Sequence, residues 1–206
     1  MDEKMVNLLK KWGIICVVVI VVGALLYSCT AGTYNKIVTL DESVQSAWSQ
    51  VENQYQRRMD LIPNLVATVK GYAAHESSVL QAVTESRSRA GGTVKIDSSV
   101  LEDEEKFAQY QKAQNELSAN LQRLLAISEN YPSLKANENF LALQDELEGA
   151  ENRISVERKR YNEAAQTYNT FIRKFPKNII ASLCNFNKKA YFTAAQEAAK
   201  APEVSF

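Results

Sequence analysis

The sequence predicts an all-α protein with an N-terminal transmembrane helix, followed by an antiparallel four-helix bundle whose first helix is long. Residues 12–35 carry no charge and are mostly aliphatic, which is typical of a membrane-spanning helix. The remaining chain repeats apolar residues every three or four positions, as amphipathic helices do. The chain has only seven glycines and four prolines, too few for the many turns of an all-β protein. No segment shows the alternation of apolar and polar residues that is typical of a strand.

The predicted membrane helix covers residues 13–33. A helix of about 20 residues spans the roughly 30 Å of a hydrocarbon core. A short basic segment, residues 1–12, precedes the helix, and residues 34–206 follow as one soluble domain of ordinary size. Lys4, Lys10 and Lys11 lie before the helix and only Lys36 follows closely, so the positive-inside rule places the N-terminus in the cytoplasm.

The anchor has an alternative interpretation as a cleaved signal. The stretch Leu26-Tyr27-Ser28-Cys29 resembles a bacterial lipoprotein cleavage box in which Cys29 would be acylated. Tyr27 fits poorly, because such boxes favour small residues beside the cysteine. The uncharged run is also longer than the apolar part of most signal peptides. An uncleaved anchor is therefore the favoured interpretation, with a lipoprotein as the alternative.

The first soluble helix is predicted at residues 34–90, after a short break at Ala31-Gly32-Thr33, and Gly91-Gly92 ends it. The second is predicted at residues 100–130, where Tyr131-Pro132 interrupts it. The third and fourth are predicted at residues 137–175 and 179–199. The third helix is expected to bury a seam against the first two helices, formed by Phe140, Leu147, Ile154, Tyr161 and Tyr168. The last two residues of this seam form an aromatic stripe together with Phe171 and Phe175.

Several strings in the first helix match a known family. They read Tyr34-Asn35, Ala47-Trp48-Ser49-Gln50-Val51-Glu52, Arg57-Arg58-Met59-Asp60-Leu61-Ile62-Pro63-Asn64-Leu65-Val66, Lys70-Gly71-Tyr72-Ala73 and His75-Glu76. Together with Phe175-Pro176, Tyr191-Phe192 and the closing Ala201-Pro202-Glu203-Val204-Ser205-Phe206, they closely resemble the LemA family of bacterial membrane proteins. The resemblance implies a single-pass anchor with a four-helix bundle. It implies no catalytic residue and no cofactor.

The longest of these strings is a candidate structural or interaction motif, formed by Arg57, Arg58, Asp60, Pro63 and Asn64. Pro63 lacks a backbone donor and clashes with the preceding turn, so the helix is expected to bend there. Asn64 could bond the freed carbonyls, and Arg57 with Asp60 is a possible ion pair one turn apart. The motif is either a polar surface for a partner or, the favoured interpretation, a bend whose neighbours satisfy broken backbone bonds.

The sequence does not indicate a metal site, a catalytic site, a nucleic-acid-binding site or a disulfide. His75 is the single histidine, so a metal site built on it would need distant carboxylates, and no metal site is predicted. No G-x-S-x-G motif is present. Lys+Arg and Asp+Glu are both 24, which gives no basic excess for nucleic acid. Nothing in the spacing of the three cysteines indicates a disulfide.

The sequence therefore favours a scaffold or interaction protein of the bacterial cell envelope, without enzymatic activity. It would sit in the inner membrane with its bundle on the periplasmic or extracellular side. Its expected partners are membrane lipid, further copies of itself and other envelope proteins. The alternative is a small-ligand sensor or an enzyme with a pocket inside the bundle.

Overall fold

The computed structural model describes residues 3–73, 75–92 and 98–193, and this part of the chain is helical and contains no strand. The all-α prediction is confirmed. The helices are α1 (Glu3–Tyr72), α2 (Ser77–Gly92), α3 (Glu104–Ile127), α4 (Pro132–Lys135), α5 (Glu138–Arg173) and α6 (Lys177–Leu183). Short 3₁₀ turns at Ser98–Glu102 and Ser128–Asn130 flank α3.

The first helix runs without interruption from the apolar segment into the soluble domain. The predicted break at Ala31-Gly32-Thr33 is wrong. Thr33 donates its hydroxyl to the carbonyl of Cys29 at 2.8 Å, and a single glycine inside a helix costs only about 1 kcal/mol. Helical residues on both sides outweigh that cost, so the apolar segment and the first bundle helix are one element.

The predicted helix over residues 34–90 is in fact two helices. α1 ends at Tyr72, and α2 begins at Ser77 and folds back along α1. The reversal is visible near the end of α2, where the guanidinium of Arg87 donates to the carbonyl of Met59 at 3.2 Å. Because α2 folds back, its apolar residues Leu80, Val83 and Ala90 pack in one cluster with apolar residues of α1, which one straight helix could not allow. The predicted stop at Gly91-Gly92 agrees with the end of α2.

The second and third predicted helices match α3 and α5 closely, and capping residues explain where they begin. The carboxylate of Asp103 accepts from the backbone of Glu105 and Lys106, both at 3.0 Å. Asn137 accepts from the backbone of Phe140 at 2.9 Å. The five seam residues predicted on α5 are all buried. Phe175 is 81% exposed, because α5 ends before it, so the stripe stops at Phe171.

The fourth predicted helix is wrong for most of its length. α6 ends at Leu183, and residues 186–193 form an extended segment without helical hydrogen bonds, which we call the strap. Residues 194–199 of that prediction lie outside the described residues. The strap crosses the bundle between α3 and α5, where side chains of both helices hold its backbone.

The long helices pack in opposite directions. α1 lies along α5: Tyr55 meets Arg158, Arg58 meets Glu151, and Tyr72 meets Asn137, so one helix ascends as the other descends. α2 lies along α3.

The buried side chains form two clusters. The near core lies beside the apolar segment of α1 and is mainly aromatic. It contains Trp48, Tyr55, Phe107, Tyr110, Ile154, Tyr161, Tyr168 and Phe192, together with Ile37, Val44, Val51, Leu101, Ile172 and three alanines. The distal core is mainly aliphatic and contains Met59, Ile62, Leu65, Val69, Leu117, Leu121, Leu124, Leu134, Phe140 and Leu147, among others.

Candidate functional site

The candidate motif on α1 splits into an inward and an outward part. Arg58 is 0% exposed, whereas Arg57, Asp60, Pro63 and Asn64 lie on the exposed surface. Arg58 lies three residues after Tyr55 and four before Ile62, so it shares a helix face with these two buried side chains. From this spacing, the burial of Arg58 could have been predicted from the sequence. The motif is thus not one continuous polar surface.

Arg58 joins three helices. Its Nη1 donates to Ser118 Oγ of α3 at 2.6 Å and to Glu151 Oε1 of α5 at 2.8 Å. Its Nη2 donates to the amide oxygen of Gln114. The guanidinium carbon also lies 5.3 Å from the ring centre of Tyr55. We call Arg58, Gln114, Ser118 and Glu151 the polar layer, because they lie between the near core and the distal core.

The polar layer is not fully satisfied. Arg58 Nε and Gln114 Nε2 are buried without a hydrogen-bond partner in the described part of the chain. Glu151 is different, since 36% of its side chain is exposed. A buried ion pair whose polar atoms are incompletely bonded adds little net stability, but losing one partner is costly. The layer therefore fixes how the three helices align more than it strengthens the fold.

Pro63 remains inside α1, which continues through it. Proline cannot donate to the carbonyl four residues earlier, and that carbonyl belongs to Met59. Arg87 of α2 donates to this oxygen instead, at 3.2 Å. The sequence interpretation assigned this role to Asn64, whose side chain is exposed; the satisfying group comes from another helix. The motif proline therefore creates the acceptor that docks α2.

The expected ion pair between Arg57 and Asp60 is also absent from the described residues. Asp60 accepts from the amide of Gln56 at 2.7 Å, one turn away. Arg57 is exposed. Arg57, Asp60 and Asn64 thus form a solvated stretch of α1 on the side away from the polar layer.

A second arginine, Arg158 of α5, lies on the near-core side of the polar layer, against Tyr55. Its Nε donates to the hydroxyl of Tyr55 at 2.7 Å, and its guanidinium lies 5.0 Å from the ring centre of Phe192. Burial raises the pKa of Tyr55 above its ordinary value, and the positive charges of Arg158 and Arg58 only partly oppose this. Tyr55 therefore stays protonated near neutral pH and serves as a hydrogen-bonding group.

Side-chain amides hold the backbone of the strap. Asn169 of α5 donates to the carbonyl of Lys189 and accepts from its N–H, both at 2.8 Å. Asn162, seven residues earlier on the same helix face, makes the same pair of bonds to Phe192 at 2.9 Å. Gln111 of α3 binds the backbone of Thr193. Asparagines seven residues apart on the buried face of α5 were the sequence signal for such a clamp.

Lys189 anchors the start of the strap from inside. Its side chain is 3% exposed, and its ammonium lies 2.8 Å from Asp41 and 2.7 Å from Glu102. Partial burial lowers the pKa of Lys189, but the bonds to the two carboxylates outweigh this effect and raise it above the ordinary lysine value. The ion pairs tie the strap to the beginning of the first bundle helix and to the turn before α3.

A surface cleft of about 440 Å³ lies between α1 and α5 beside Asn64, and one of about 240 Å³ lies next to Ser118 and Glu151 of the polar layer. Two further clefts lie beside the strap. One of about 700 Å³ is lined by Arg158, Asn162, Tyr191 and neighbouring residues, and one of about 320 Å³ lies on the α3 side of the strap. His75 is exposed and lies in none of these clefts. In the described part of the chain, no three His, Cys, Asp or Glu side chains group as metal ligands.

Comparison with known proteins identifies the family. The sequence profile of the LemA family matches residues 47–206, which include both the motif and the strap. The chain belongs to the LemA family. The match does not include the apolar segment at residues 12–35 of this LemA-family protein, so a membrane span there is indicated only by the segment's own sequence and helical structure.

Curated relatives include magnetosome proteins. Magnetosome proteins MamQ 1 and MamQ 2 of Paramagnetospirillum magneticum are each 30% identical over 177 residues, which cover 77% of this chain and 64% of theirs. Protein LemA of Metamycoplasma hominis is 24% identical over 170 residues, which cover 82% of this chain and 73% of that protein. This chain thus spans less than two thirds of the magnetosome relatives. Family membership and the apolar helix together indicate a membrane-associated helical protein.

Proposed function

We propose that this LemA-family protein is a membrane-anchored scaffold of the bacterial cell envelope and has no catalytic activity. Its soluble domain comprises residues 34–206 and forms an antiparallel four-helix bundle. The four helices are the part of α1 after the apolar segment, α2, α3 and α5. The observation that supports this most directly is the continuity of α1, which joins an exposed apolar segment to the bundle without a hinge.

The apolar part of α1 has the features of a membrane span. The described side chains from Trp12 to Thr30 are exposed, and α1 has one stretch apolar and long enough to cross a bilayer. Trp12 and Tyr34 lie near its two ends, about 33 Å apart along the helix, where amphipathic aromatic rings favour the two membrane interfaces. We therefore assign residues 13–33 to the bilayer and residues 1–12 to the cytoplasm. Acylation at Cys29 is the alternative.

The packing of the bundle favours a scaffold over a ligand pocket. The buried cations Arg58 and Lys189 are both ion-paired and hold helices or the strap in place. The rings of Phe107, Tyr110, Tyr161 and Phe192 all lie within about 6 Å of Trp48 and fill the near core. The cleft of about 700 Å³ is an open surface feature beside the strap. An interior of this kind presents helix surfaces to partners.

We propose further that the protein associates with copies of itself and with other envelope proteins. Molecules confined to one membrane meet at high effective concentration, so weak lateral contacts suffice. A side chain added at Gly23 would meet nothing within 4 Å in the single chain, which leaves this face of the span open to a neighbouring helix. Zero formal net charge does little to oppose the association.

Mass measurement of single particles in lipid nanodiscs tests self-association. The scaffold proposal expects particles at multiples of 23.1 kDa as the protein-to-lipid ratio rises. A lone copy at every ratio would contradict it. A protease added to intact spheroplasts should digest the bundle, whereas digestion only after lysis would reverse the orientation. Mass spectrometry of the mature N-terminus separates an intact anchor from acylation at Cys29.

A further inference from the structure

The base of the bundle, beside the anchor, has an unusual charge distribution. Residues 164–196 contain no aspartate or glutamate, although the chain as a whole has no net charge. The same stretch holds five cations, which are Arg173, Lys174, Lys177, Lys188 and Lys189. The end of α5, all of α6 and the strap lie within it. This segment of the base is therefore basic, whereas the neighbouring starts of the first bundle helix and of α3 carry Asp41, Glu42 and the acidic run from Glu102 to Glu105.

Three of these cations are available to an outside partner. Lys189 is buried and neutralised by Asp41 and Glu102, and the ammonium of Lys177 lies 3.8 Å from the ring centre of Phe171. Arg173, Lys174 and Lys188 are exposed and form no ion pair among the described residues. Asp41 and Glu102 are engaged by Lys189 rather than by these three cations.

Large apolar side chains are exposed in the same place. Phe175 is 81% exposed, Ile179 51% and Leu183 78%. The spacing of four residues places Ile179 and Leu183 on one face of α6. The other face packs on the bundle through Ala181, which is 3% exposed. The small apolar residue of α6 therefore packs on the bundle, whereas the large apolar residues Ile179 and Leu183 face away from the protein.

The position of α6 along α1 places this surface at the membrane. The rings of Phe186, just after α6, and Tyr34 of α1 are 5.6 Å apart. Ala181 shares the near core with Ile37. If residues 13–33 cross the hydrocarbon core, Tyr34 and Ile37 lie only about 2–6 Å beyond it along the helix. This depth falls within the headgroup region, which adds about 5–7 Å on each side of the core.

We propose that the base of the bundle docks on the surface of the bilayer that holds its own anchor. Phe175, Ile179 and Leu183 enter the interface between headgroups and acyl chains. Arg173, Lys174 and Lys188 bind the phosphate groups of anionic phospholipids. We call these six residues the basal patch. The anchor makes this contact intramolecular, so a small patch is enough to hold it. The inference rests on the proposed membrane anchor.

Site-directed spin labels on the full-length protein test the contact. The background variant carries Cys16→Ala, Cys29→Ala and Cys184→Ala, and is reconstituted into vesicles of phosphatidylcholine and phosphatidylglycerol. A label at Leu183→Cys should collide more with lipid-soluble oxygen than with a water-soluble nickel chelate. The matched control is Leu141→Cys, which is 44% exposed on α5 near the distal end and should collide mainly with the chelate. Equal aqueous collision at both positions would overturn the docking.

A third label separates this proposal from the anchor on which it rests. A label at Val19→Cys lies in the middle of the span and should show deep burial in lipid. Deep burial at 19 with an aqueous label at 183 overturns the basal patch alone. An aqueous label at 19 overturns the anchor, and the basal patch with it.

The charged part of the patch has its own test. Replacing Arg173, Lys174 and Lys188 together by glutamine should lower the docked-to-undocked ratio at label 183 by roughly fivefold for each cation removed. Pure phosphatidylcholine vesicles should have a similar effect on the unmodified patch. The control is Lys135→Gln, an exposed lysine at the distal end. A ratio unchanged by both the triple variant and the neutral lipid would overturn the assignment to anionic headgroups.

Discussion

The two halves of the bundle have different interiors, separated by the polar layer. In the near core, rings from α1, α3, α5 and the strap meet around Trp48, so each element contacts the others through large, oriented side chains. In the distal core, aliphatic side chains fill the space between α1, α2, α3 and α5. Aliphatic packing tolerates rearrangement, whereas the aromatic cluster depends on the strap remaining in place. The halves should therefore respond differently to mutation.

The largest effect is expected where a charge enters the near core. Ile154→Asp replaces a side chain that is 2% exposed and leaves a carboxylate without a partner, so it should cost more than about 4 kcal/mol and unfold the domain. Chemical unfolding of the full chain in detergent, followed by circular dichroism, measures this. Val156→Asp, two residues away and 48% exposed, is the control and should melt like the parent. Equal stability of the two variants would show that the α5 seam is wrongly placed.

The polar layer should respond asymmetrically to the loss of its two charged partners. Glu151→Ala leaves Arg58 buried without a counter-charge, which should cost about 3 kcal/mol. Arg58→Met should cost less, because Glu151 is partly exposed and can be solvated. The double variant Arg58→Met with Glu151→Leu should restore most of the free energy of unfolding. The control is Glu116→Gln, in an exposed pair with Arg89, where less than about 1 kcal/mol is expected.

A smaller and more local effect is expected from the strap. Phe192→Ala removes a ring that stacks on Trp48 at 6.0 Å and should cost about 2–3 kcal/mol, less than a typical core phenylalanine because the strap can detach. Hydrogen exchange should speed up in peptides of the strap and near core while the distal core stays protected. Tyr191→Ala, at the exposed neighbouring position, is the control. Uniform acceleration in both halves would show that they are one cooperative unit.

The smallest effect concerns the pH dependence of strap attachment. Burial raises the pKa of Glu102, but hydrogen bonds from Lys189 and Asn187 outweigh it and hold the pKa below the ordinary value of about 4.3. This stabilisation is present above that value and is lost as the pH falls through the lowered pKa. Lys189 has a raised pKa, so its contribution is present below about 10.4 and is lost as the pH rises through the raised value.

Trp48 fluorescence, measured in a Trp12→Phe background, reports on the strap because Phe192 stacks on that ring. The signal should change below about pH 4.3, and Glu102→Gln should reduce that acid transition. Glu105→Gln, an exposed neighbour, should leave it unaltered. An acid transition that is the same in all three proteins would exclude a role for Glu102.

The sequence predicted those parts of the fold that depend on local periodicity. The seam of α5 is buried as its spacing indicates, because every third or fourth residue of a helix must share a face. The conformation of the strap could not be predicted from local periodicity. Phe186, Tyr191 and Phe192 are compatible with a helical spacing, and their extended form depends on amides of Asn162, Asn169 and Gln111, far away in sequence. Long-range partners of the backbone leave no local pattern.

The candidate motif was predicted only in part for a related reason. Its polar composition is typical of a surface, and four of its five residues, Arg57, Asp60, Pro63 and Asn64, are exposed. Arg58 is the exception, and its burial depends on Glu151, Gln114 and Ser118 from two other helices. Likewise the carbonyl freed by Pro63 binds Arg87 of α2, because the chain reverses after Tyr72. Neither the reversal nor the partners could be inferred from the motif alone.

If the apolar segment spans the bilayer as proposed, the uninterrupted course of α1 makes the protein a lever as well as an anchor. From Tyr34 to Tyr72 the helix rises about 57 Å, so the distal end of the bundle stands far from the bilayer. With no break between span and bundle, a tilt of the span by about 10° carries the distal end sideways by about 10 Å. Lipid thickness and neighbouring spans set that tilt, and the height of the bundle magnifies it. On this proposal, changes within the membrane would become displacements of the distal surface of the bundle.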